Sequence, residues 1–238
     1  MAAIAGSNLT AGGSGTDGTS YTTASIAPTG NRLVLAAVAS ARGADPATPT
    51  LSGGGMTTWT LVESVGINGF VRLSVFRSLQ ASPSSGTLGI SFGAETQERC
   101  TWAIMEHTNV LTSGANGADA IRQADSAAAA DALTISVTLA AFGDVNNATY
   151  GALMNQDIGV TTIAPGTDFT EINEVGIDDA GVGQSLASEF RADNDTTVDG
   201  SMNAECFHLG VVGIEIVNAT PSSSGAVTGR RMLLGVGQ

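Results

Sequence analysis

The chain has 238 residues, of which 42% are hydrophobic and 13% charged, so it has room for one large or two small domains and enough apolar content for a buried core. Its nine basic residues are all arginine and face 22 acids, for a net charge of -13, the opposite of the basic footprint that holds nucleic acid or an anionic membrane surface. Residues 1–110 carry six acids and five arginines, whereas residues 111–238 carry sixteen acids and four arginines.

Residues 1–20 are rich in Gly, Ser, Thr and Ala without a period, and read as a flexible N-terminal arm. Strand patterns then follow at residues 21–27, 32–40, 59–65, 70–79, 87–92 and 99–110. Turn residues separate them, among them Pro28-Thr29-Gly30-Asn31, Gly53-Gly54-Gly55, Asn68-Gly69 and Pro83-Ser84-Ser85-Gly86. Residues 118–132 are an Ala run broken by Asp and read as a short helix or a linker. A second series of strands is expected at 133–139, 148–154, 168–175, 185–191, 197–202 and 205–217. No helix pattern of three turns occurs, and short strands with Gly-, Pro- and Asn-rich turns predict an all-β sandwich of about 12 strands. The expected layout is the arm at 1–20, a sandwich at 21–218 with halves at about 21–110 and 131–218, and a C-terminal tail at 219–238.

The two series resemble one another. Residues 59–65 align with 169–175, residues 73–77 with 186–191 after one insertion, and residues 105–109 with 214–218. A period this long fits two halves of one sandwich or two tandem sandwiches, and the short middle segment favours the former.

Residues able to carry chemistry are few. Cys100 and Cys206 lie within apolar strand patterns and read as buried free thiols, with no zinc spacing around them. His107 and His208 lie in the last strand of each half, and no Gly-x-Ser-x-Gly elbow supplies a nucleophile for them. Glu63, Glu106, Glu174 and Glu215 are strand carboxylates; Glu106 and Glu215 are equivalent in the repeat, which predicts a repeated structural role rather than an acid/base pair. Asp193-Asn194-Asp195, followed by Asp199-Gly200, is a weak Ca2+ candidate that departs from the EF-hand spacing, and Asp178-Asp179 is a second; both read better as polar turns. Trp59 and Trp102 are expected in the core, with a sugar platform as the alternative. The run Gly229-Arg230-Arg231-Met232-Leu233-Leu234 is short and amphipathic, and is the candidate for subunit contact by strand addition. The opening residues show no signal-peptide pattern, and no run of about 18 apolar residues is present to span a membrane.

Three stretches carry a family resemblance: Gly30-Asn31-Arg32-Leu33-Val34-Leu35-Ala36-Ala37-Val38, Leu51-Ser52-Gly53-Gly54-Gly55 before Trp59, and Leu73-Ser74-Val75-Phe76-Arg77 before Pro83-Ser84-Ser85-Gly86-Thr87. The pattern resembles a concanavalin A/laminin-G-like jelly-roll domain of the kind found in phage virion proteins and bacterial surface proteins. The resemblance implies a jelly-roll β-sandwich and a structural, non-enzymatic role. The expected function is a capsid decoration (cement) protein, or a tail or fibre component, assembled in the host cytoplasm into the virion. Its expected partners are the major capsid or other virion proteins and further copies of itself. The alternative is a carbohydrate-binding, lectin-like module using Trp59, Trp102, Asp193 and Asp195.

Overall fold

The computed structural model describes residues 2–219. The strands are β1 (Ala5–Ser14), β2 (Ser20–Ile26), β3 (Leu33–Ala41), β4 (Thr50–Gly53), β5 (Thr60–Ile67), β6 (Val71–Ser78), β7 (Gly86–Ser91) and β8 (Arg99–Thr108). A 3-10 segment at Ala115–Ala120 leads into β9 (Ile121–Ala129), β10 (Ala132–Thr138), β11 (Ala148–Ile158), β12 (Ile163–Pro165), β13 (Thr170–Asp179), β14 (Val182–Arg191), β15 (Thr197–Cys206) and β16 (His208–Ile216). The fold is therefore all-β, and all pairings between these strands are antiparallel.

The described residues hold sixteen strands rather than the dozen expected. All twelve expected segments form strands; the four additions are β1, β4, β9 and β12. Each addition is an edge strand of its sheet. β1 and β9 are built from small residues, AGSNLTAGGS and IRQADSAAA, whose weak hydropathy contrast hides the period of two. The stretch read as a flexible arm is thus largely a paired strand, and the Ala run read as a helix or linker is mostly β9.

The strand orders are β1-β8-β3-β6-β5 with β2-β7-β4, then β9-β16-β11-β14-β13 with β10-β15-β12 when read in the matching direction. Adding eight to each label of the first unit gives the second. The repeat is therefore two tandem sandwiches, each with a five-stranded and a three-stranded sheet, in place of two halves of one. The bulge in β5 between Leu61 and Glu63 recurs in β13 between Glu171 and Asn173. Arg77 lies opposite Thr60 as Phe190 lies opposite Thr170, so no insertion is needed to align β6 with β14 over this stretch.

The two five-stranded sheets pack face to face. Leu33, Leu35, Ala37 and Ala39 of β3 share one core with Tyr150, Ala152 and Met154 of β11 and with Val212 and Ile214 of β16. The alternate residues Val34, Ala36 and Val38 face the other way, onto Leu88 and Ile90 of the first three-stranded sheet. In the second unit Leu153, Ala187 and Val211 face Ile135, Val137 and Val198 in the same manner. The result is a four-layer stack of three, five, five and three strands. Strands β3, β8 and β11 are buried on both faces almost throughout, which is why they read as continuous apolar runs rather than alternating ones.

Across the central seam β1 lies against β13, and β5 against β9. Because β13 is the counterpart of β5, and β9 of β1, the units are related by a pseudo-twofold axis running along the strands. Gln184 of β14 crosses this seam, donating to the Ala39 carbonyl at 3.1 Å and to Thr101 Oγ1 at 2.9 Å. Gln184→Ala removes both hydrogen bonds across the seam and should cost about 1–3 kcal/mol. Urea unfolding should show a lower midpoint and still a single transition; two separated transitions would contradict a shared core.

Candidate functional site

Glu106 and Glu215 occupy equivalent positions near the ends of β8 and β16, and both are buried. Glu106 accepts from the Thr29 N–H at 2.8 Å, from Thr29 Oγ1 at 3.2 Å and from Arg32 Nη1 at 2.5 Å. Glu215 accepts from Asn147 Nδ2 at 2.5 Å and Gln123 Nε2 at 2.6 Å. Arg32 and Asn147 each directly precede a central strand, so both carboxylates anchor the start of that strand. This repeated bracing is the structural role that the repeat predicts. Glu174 accepts from the Ile163 N–H at 2.6 Å, and Glu63 from the Ser64 N–H at 3.0 Å.

The residues proposed for a ligand are not brought together. Trp102 is 7% exposed, in the outer core of the first unit, where its indole covers Gly12 of β1. Trp59 packs against the same core and donates its indole N–H to the Gly53 carbonyl at 3.0 Å. Asp193 and Asp195 lie in the β14–β15 turn of the second unit, where both grip Arg191 at 2.6 Å. Asp195 Oδ1 also accepts from the Thr197 N–H at 2.9 Å. These aspartates close a turn around an arginine. Asp178 likewise closes the β13–β14 turn by accepting from the Gly181 N–H at 3.0 Å. Among the described residues no three His, Cys, Asp or Glu side chains gather to hold a metal. Cys100 and Cys206 are free, buried thiols. Arg230, Arg231, Met232, Leu233 and Leu234 lie outside the described residues.

A cavity of about 500 Å³ opens beside Glu215, lined also by Asp119, Arg122, Asp144, Asn147 and Val217. Its acids already serve the fold: Ser113 Oγ donates to Asp119 at 2.7 Å, and the Asn146 N–H to Asp144 at 2.9 Å.

Two buried titratable groups belong to the core. His107 lies in the central seam with its ring edge-on to Tyr150 at 5.8 Å and tilted on Phe190 at 5.4 Å. Burial pushes its pKa down to about 4, a Leu33 backbone group working the other way. Glu189 is 1% exposed; Oε2 accepts from the Gly166 N–H at 2.9 Å, while Oε1 has no partner. Burial first, then the charges of Asp199, Asp195 and Glu171, push its pKa up to about 8 despite that hydrogen bond. Glu189 was not among the sequence candidates. The available signal was an acid amid the small and apolar residues of LASEF, but Gly151, which makes room for it, and Gly166, which donates to it, are distant in sequence.

No protein-family model, curated protein or solved structure matches the chain.

The two shifts act on stability in opposite senses. Glu189 is neutral in the fold up to about pH 8, whereas an unfolded carboxyl ionises from about 4.5, so rising pH across that window favours unfolding. His107 stays neutral in the fold down to about pH 4, whereas the unfolded imidazole takes a proton from about 6.5, so falling pH across that window also favours unfolding. Stability should therefore decline by a few kcal/mol between about pH 6.5 and 8 and fall again below about 4.5. Glu189→Gln should remove the upper decline in a urea titration run at each pH; an unchanged upper limb would reject the assignment.

Proposed function

We propose that the chain is a structural component of a phage virion, a capsid decoration (cement) protein in the first place and otherwise a tail or fibre component. Each unit is read as a jelly roll: the orders β1-β8-β3-β6 and β2-β7-β4, repeated as β9-β16-β11-β14 and β10-β15-β12, support that form. The observation that carries the functional reading is the engagement of the chemistry-bearing groups in the fold itself. Glu106 and Glu215 brace strands, Asp193 and Asp195 hold Arg191, and His107 is sealed in the seam. What such a stack offers a partner is a rigid outer surface, and its work is binding.

Co-sedimentation with heads of the phage that encodes the chain tests this. The expected result is saturable binding at a fixed copy number per capsomer; absence of the chain from both purified heads and purified tails would overturn the reading.

A further inference from the structure

One end of the stack gathers the solvent-facing apolar groups. Seven large hydrophobic residues are notably exposed among those described, and five of them, Phe70, Leu133, Ile158, Val160 and Phe207, belong to turns or strand ends at this end. They are between 47% and 75% exposed. His208 is at their centre: its ring is 5.9 Å from that of Phe70, Asn68 Nδ2 is 3.2 Å from its Nδ1, and it pairs with Gln156 two residues before Ile158. Phe207 immediately precedes it, and Leu133 adjoins Ala132, which pairs with Cys206.

The charge around these groups is one-sided. Arg42, Arg72 and Arg99, the arginines of this end, lie in the first unit and are bonded to Glu95, Asp45, Glu98 and Asp179. Asp131 and Glu205, which border the apolar row, are exposed and form no ion pair with an arginine among the described residues. The surface is therefore apolar with an acidic margin. Such a surface repels its own copy and attracts a segment that is apolar and basic.

This chain contains such a segment in Arg230-Arg231-Met232-Leu233-Leu234. We propose that this segment of one copy docks on the Phe70–His208–Phe207 end of a second copy, its arginines on the acidic margin and its apolar residues on the row. This deepens the virion-assembly reading and rests on it. The described chain finishes at the opposite end of the stack, where the Ala219 N–H donates to the Asn109 carbonyl at 2.8 Å and Asn218 Nδ2 to the Ala2 carbonyl at 3.2 Å. Eleven steps from Ala219 to Arg230 span at most about 40 Å, and β11 alone, at 11 residues, covers about 36 Å of the stack. Docking on its own far end would require a nearly straight chain, with a large loss of entropy, whereas a second copy presents that end without the constraint. The contact is head-to-tail and builds a ring or a filament.

Light scattering on the full-length chain tests this, with variants first matched to the parent in melting temperature. The parent should gain mass with concentration and lose it with salt. Arg230→Glu/Arg231→Glu and Phe70→Ser/Phe207→Ser should each weaken self-association by roughly tenfold or more. An equal mixture of the two variants, one with a working end and the other with a working segment, should stop at a dimer. A parent that stays monomeric, variants that assemble like the parent, or a mixture that forms no dimer would each overturn the proposal. Head binding by the parent separates the two readings: if it binds heads saturably yet stays monomeric in solution at every concentration, the docking proposal fails while the decoration reading stands.

Discussion

Burial of both five-stranded sheets on both faces is the constraint on which the rest of the molecule depends. It requires apolar side chains in both directions along β3, β8 and β11, and it favours small ones: Ala36, Ala37, Ala39, Ala103 and Ala152 are all fully buried. It also penalises polar groups inside the stack that lack a partner or keep a charge. The Gln184 amide nitrogen finds its partners across the seam, Glu106 and Glu215 find theirs at the strand starts, and His107 and Glu189 surrender their charge. The side chains that look chemically useful in the sequence are thus largely those the stack needs for its own integrity.

Strands were legible where burial on one or both faces leaves an apolar run or clean alternation, as in RLVLAAVAS of the inner β3 or LTISVTL of the edge strand β10. The edge strands β1, β4, β9 and β12 were not, because an edge that is very short or built mostly of small residues is held by main-chain pairing, which side-chain pattern does not report. The misses fall in equivalent pairs, β1 with β9 and β4 with β12, so the same strands were hidden in both units. Asn68-Gly69 is read correctly as a turn because the tight connection between Ile67 and Val71 needs left-handed backbone, here φ of 51° and 74°. The candidate site was less legible. Trp102 and Asp193 look like possible neighbours only while the layer to which each strand belongs is unknown; β8 and the β14–β15 turn belong to different units. The apolar end was invisible for the same reason, since Phe70, Ile158 and Phe207 come from three separate turns.

The pseudo-twofold relation makes the asymmetry of the ends interpretable. Arg99 and His208 hold equivalent positions, opposite Ala41 and Gln156 at the starts of β8 and β16. Each reaches across the seam to the hairpin of the other unit, Arg99 to Asp179 at 3.6 Å and His208 to Asn68 and Phe70. One geometric contact has therefore been written twice in different chemistry, once as an ion pair and once as an aromatic and amide cluster.

Joining the two units in one chain is what permits this. A dimer of identical units would have to display Phe70 on both sides of its axis or on neither, and any partner it bound would meet two equal surfaces. The covalent link at residues 109–120 releases the copies from that equality while keeping the interface that identical copies would make. The molecule consequently has a distinguishable left and right about its axis, and a partner can seat on it in one orientation only.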